Sequence, residues 1–62
     1  MSLPTAILKT IRDSLDKADT AYKALEETIS DARRAGIDIK DMEAKASELR
    51  QQIARMRAVY GA

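Results

Sequence analysis

Ala35-Gly36-Ile37-Asp38-Ile39 is the stretch whose reading decides the fold of this chain. Gly36 stands where a helix needs a residue in the left-handed conformation just past its last turn, a position glycine takes without a Cβ penalty. With Gly36 placed there, Ile37 and Ala32 become the apolar pair that accompanies a Schellman-type stop. Arg33 and Arg34 then fall in the last turn, where positive charge suits the open carbonyls. Asp38 reads as the N-cap of a second helix, its carboxylate accepting from free amides. On that count Asp41 is the third helical residue and Met42 the fourth, so Ile37 can close over Met42 as a hydrophobic staple. The alternative, a glycine inside one continuous helix, conflicts with the Ile-Asp-Ile run that follows. The turn therefore comprises Gly36, Ile37 and Asp38, and the chain is expected to fold as a single helical hairpin over residues 1–62.

The arms on either side carry the helical period. From Pro4 to Ala35 nothing breaks a helix, and Pro4 suits a first turn, with Ser2 as its cap. Met1-Ser2-Leu3 reads equally well as native sequence or as an added leader. Leu8, Ile11, Leu15, Ala18, Tyr22, Leu25, Ile29 and Ala32 are spaced alternately three and four residues apart, an unbroken heptad seam. Helix two, from about residue 39 to 60, repeats the pattern with Ile39, Met42, Ala46, Leu49, Ile53, Met56 and Tyr60. Asp41 and Glu43 near its start and Arg55 and Arg57 near its end complement the macrodipole, and Gly61 is a natural stop. Within helix one, Asp13 with Lys17 and Asp19 with Lys23 are candidate surface pairs.

Docked antiparallel, the seams mesh when paired residue numbers add to 71. Leu25 then faces Ala46 and Tyr22 faces Leu49, and small alanines meet larger residues in three of the layers. Side chains lean toward their own N-terminus, so flanking residues meet at a slightly larger sum. At 76 the pairs are Arg33 with Glu43, Glu26 with Arg50 and Asp19 with Arg57, all of opposite charge. Such pairs choose register more than they stabilise. The other flank of helix one, Ile7, Ser14, Ala21, Thr28 and Ala35, is small and barely charged. It faces Lys45, Gln52 and Val59.

Composition excludes much chemistry. The chain has 62 residues, no Cys and no His. Disulfides, thiol catalysis, the usual zinc sites and Ser-His-Asp sets are therefore absent, and no glycine-rich phosphate loop occurs. No acid lies at a seam position, as a di-metal bundle requires. Neither a catalytic residue, a metal ligand nor a cofactor-binding residue is expected, and the reading is non-enzymatic. Eleven basic against ten acidic residues leave a formal charge of +1, too little for a strong field toward nucleic acid or anionic lipid. No apolar run is long enough to span a membrane or to act as a signal segment. The short amphipathic patch of Leu3, Ile7, Leu8 and Ile11 with Lys9 and Arg12 fits an oligomer seam better than a headgroup layer. The lack of Cys fits a reducing compartment, and the expected location is cytoplasmic.

A core this small usually needs a staple or a partner, and no metal or disulfide is on offer. Two hairpins are therefore expected to pair into a homodimeric four-helix bundle through Leu3, Ile7, Leu8, Ser14, Ala21, Thr28 and Val59. The function expected is an oligomerisation or protein-protein interaction module, with its own copy or another helical protein as partner. A small dimeric RNA- or DNA-binding regulator is the alternative, and a helical fragment of a longer coiled-coil protein is another. In outline, a 62-residue antiparallel hairpin that dimerises is similar to the plasmid-encoded RNA-loop-binding hairpin regulators. The likeness is of architecture, and no site residue is carried over from it.

Overall fold

A computed structural model describes residues 3–61. These residues form two α-helices, α1 (Thr5–Arg34) and α2 (Lys40–Tyr60), with no strand among them. The helices pack against each other as an antiparallel hairpin of 50 × 15 × 11 Å.

The stop of α1 has Schellman geometry. Ala35 closes the last turn with φ −80°, and Gly36 reverses the chain at φ +76°. The Ile37 amide donates to the Ala32 carbonyl at 2.9 Å, and the Gly36 amide donates to the Arg33 carbonyl at 3.1 Å. These two bonds satisfy carbonyls that the helix end leaves open.

Entry into α2 differs from the sequence expectation by one residue. The first helical bond runs from the Glu43 amide to the Ile39 carbonyl at 2.8 Å, so Ile39, not Asp38, is the N-cap. Asp38 acts from outside the helix, where its Oδ1 accepts from the Lys40 amide at 3.0 Å. A short carboxylate bonds readily to an amide two residues ahead, and this turn competes with a formal cap position. The shift also moves Met42 out of staple register, and Ile37 stays 58% exposed.

The start of α1 is corrected similarly. Pro4 is the N-cap, at φ −56° and ψ 145°, and lies outside the first turn. Its carbonyl accepts from the amides of Ile7 (3.0 Å) and Leu8 (3.1 Å). A residue in that position needs its carbonyl and not its amide, so proline serves without loss. The cap expected at Ser2 lies outside the described residues.

The core is the inner seam. Leu15 (1% exposed), Ile29, Ala32, Ala46 and Ile53 are buried. Leu8, Ile11, Ala18, Tyr22, Leu25, Ile39, Met42 and Leu49 are half-buried. Two residues expected inside are not: Met56 is 37% exposed and Tyr60 41%. Arg57, one position from Met56, is half-buried in its stead. A straight helix turns 3.6 residues, so a heptad pattern slips about 20° per repeat. Along Met42, Leu49 and Met56 that slip carries the position outward, while Glu43, Arg50 and Arg57 are carried inward. Tyr60 lies in the last turn of α2, where the covering arm is a single helix.

Candidate interaction surfaces

Both flanks of the seam are surfaces a partner could meet, and they differ in chemistry. On one flank, two ion pairs cross between the helices. Arg33 Nη2 lies 3.6 Å from Glu43 Oε2. Arg57 Nη2 donates to Asp19 Oδ2. Both pairs satisfy the same numerical sum, 76, so a single register accounts for them. Glu26 and Arg50, the third pair expected, form no direct ion pair. Together with Tyr22, Ile29, Ser30, Ala46 and Ser47 they line an open groove of about 300 Å³. Small residues explain that groove: Ser30, Ala46 and Ser47 leave a dent over the buried Ile29.

The intrahelical pairs also differ from those read in sequence. Asp13 pairs with Lys9 at 3.4 Å, one turn behind it, not with Lys17. Asp19 turns away from Lys23 and reaches across to Arg57. The planar guanidinium fork, brought inward by the slip of α2, matches a carboxylate better than a single ammonium does. Near the turn, Arg34 pairs with Asp31 on the same helix.

The opposite flank holds the residues singled out as a candidate interface. Leu3, Ile7, Ser14, Ala21, Thr28 and Val59 are exposed and Leu8 is half-buried. Val59 is the most open of the large apolar residues, at 69%. The hydroxyls of Thr10 and Thr28 donate to the carbonyls of Ala6 and Ala24 at 3.0 Å each. Their polar atoms are thus satisfied within α1, and the methyl groups are what a partner would find.

Surface area gives the scale of what is uncovered. A compact monomer of 6.9 kDa should expose about 4,000 Å². The hairpin exposes 4975 Å². The excess is on the order of 1,000 Å², comparable with the roughly 800 Å² that each partner buries in a standard interface. Among the described residues, no group of three or more acidic side chains could hold a metal ion, and no buried polar side-chain atom lacks a partner. No described helix is long and apolar enough to cross a membrane. No family model matches the chain, and neither a curated protein nor a solved structure matches it.

Proposed function

We propose that this chain is a non-enzymatic oligomerisation module that recognises partners by helix-face packing, and that its partner is a second copy in a coiled-coil-like four-helix bundle. The observation that carries the reading is the uncovered surface. A hairpin with five buried residues among those described exposes about a quarter more area than its mass warrants. Pairing two hairpins removes that excess and gives each seam a second layer to pack on.

The interface of this proposal is the flank of Leu3, Ile7, Leu8, Ser14, Ala21, Thr28 and Val59. A substitution within that flank separates the proposal from a folding defect. Ala21 is exposed in the hairpin, so Ala21→Arg leaves one protomer sterically intact while setting a charge in the interface. Light scattering should show Ala21→Arg at monomer mass at a concentration where the parent is dimeric. Lys23→Ala, on the outer face, should leave the mass unchanged. If Ala21→Arg keeps the parent's mass, the interface lies elsewhere.

A further inference from the structure

The hairpin is electrically polar along its length. After Glu48, α2 carries no further acid, while Arg50, Arg55 and Arg57 follow. Arg50 shares a groove with Glu26 and belongs to the turn half. Facing Arg55 and Arg57, residues 5–19 of α1 balance Lys9, Arg12 and Lys17 against Asp13, Asp16 and Asp19. The open half thus carries two net positive side-chain charges. In the turn half, residues 20–50, seven acids stand against six bases, leaving one net negative charge. The formal charge of +1 conceals this separation. Arg55 lies on an exposed face and forms no ion pair within the protomer among the described residues.

The exposed apolar residues are divided between the same two ends. Leu3, Ile7, Met56, Val59 and Tyr60 cluster at the open end, and Ile37 stands alone at the turn, 58% exposed. Each end therefore offers apolar surface together with charge of one sign.

From this polarity we infer that the second copy docks antiparallel, with the open half of each hairpin lying along the turn half of the other. This rests on the homo-oligomer reading above and adds its orientation. A two-fold axis across the middle of the long side brings each positive half beside a negative half, twice over. It also brings the Leu3, Ile7 and Val59 patch toward the partner's turn. A parallel pairing of the same flanks sets the two arginine-rich halves side by side, and like charges across an interface are costly.

The chain has no cysteine, so a single Lys40→Cys variant carries one spin label per protomer, close to the turn. Pulsed electron-electron resonance on the dimer should give a label separation beyond about 30 Å, the length of α2 at 1.5 Å per residue. Parallel hairpins would place the labels within about 20 Å, given helix axes 8–10 Å apart. An Arg55→Glu variant supplies an independent test by sign. It should weaken self-association about five-fold at about 50 mM salt and converge on the parent as salt is raised. Tighter association of Arg55→Glu, or a short label distance in a dimer of correct mass, overturns the orientation and leaves the homodimer standing. A folded monomer at every concentration overturns the homodimer reading, and this inference with it, in favour of an unlike partner.

Discussion

Leu15 is the side chain most completely removed from water, and Gly36 is the residue whose backbone the reversal cannot do without. They hold the hairpin by different means, and their substitutions should fail differently. Leu15→Ala removes apolar volume where collapse is limited by two packed helices, and should cost about 3 kcal/mol in chemical denaturation at fixed protein concentration. A loss under 1 kcal/mol would mean that the site is wetter than its 1% exposure implies. Gly36→Ala meets no obstacle, since an added Cβ would find nothing within 4 Å. Its cost is conformational, about 1 kcal/mol for holding a side chain at φ +76°. Gly36→Asn should recover part of that loss, because asparagine tolerates this region. Gly61 has a similar φ of +67° but closes the free end of α2, where no second helix depends on it. Gly61→Ala should therefore lower the unfolding free energy measured in urea by no more than roughly a few tenths of a kcal/mol. Equal effects at Gly36 and Gly61 would show that the turn is not the point from which the fold is held.

At the scale of the elements, register is recorded by the two cross-helix ion pairs, and the better shielded one should couple more strongly. The Asp19 and Arg57 side chains are 39% and 38% exposed, against 56% for Glu43 and 63% for Arg33. Water and salt weaken both, the outer pair more. Double-mutant cycles should return about 1 kcal/mol for Asp19 with Arg57 and about 0.3 kcal/mol for Arg33 with Glu43. Identical couplings would remove the slip of α2 as the cause of the difference. The same slip marks where sequence reading stops. The turn was legible because Gly36, Ile37 and Ala32 act through bonds only a few residues long, and short-range chemistry is written locally. The inner seam was legible in the middle of the arms, at Leu15, Leu25, Ile29, Ala46 and Ile53, where the heptad and the helical turn agree. At the far end of α2 they disagree. There Met56 read as core and Arg57 as rim, while the structure turns Met56 outward and Arg57 inward. The choice of partner for Asp13 was equally beyond the pattern: Lys9 and Lys17 both lie four residues away, and spacing alone does not choose between them. Asp38 was assigned the cap position and lies one residue before it, and Pro4 was assigned to the first turn and is itself the cap, because cap preference names a residue type and the hydrogen bonds fix its place.

For the whole molecule, the governing fact is a rod 50 Å long and two helices wide that exposes 4975 Å². A two-helix section lets each helix cover one side of the other and leaves both flanks of the seam open. The candidate interface could be named from sequence because a small, uncharged stripe on a charged helix is visible by spacing. The polarity between the ends depends on the reversal, which sets Arg55 and Arg57 at the open end, away from Glu26, Glu27 and Glu43. If the hairpin owes its stability to a second copy, folding and association are one equilibrium, and dilution acts on both together. The decisive measurement is solution mass and helical circular dichroism followed on the same samples across about 1–500 µM. The two signals should fall together on dilution, from twice 6.9 kDa with full helicity toward 6.9 kDa with helicity lost. A fully helical 6.9 kDa species throughout the range would contradict the account.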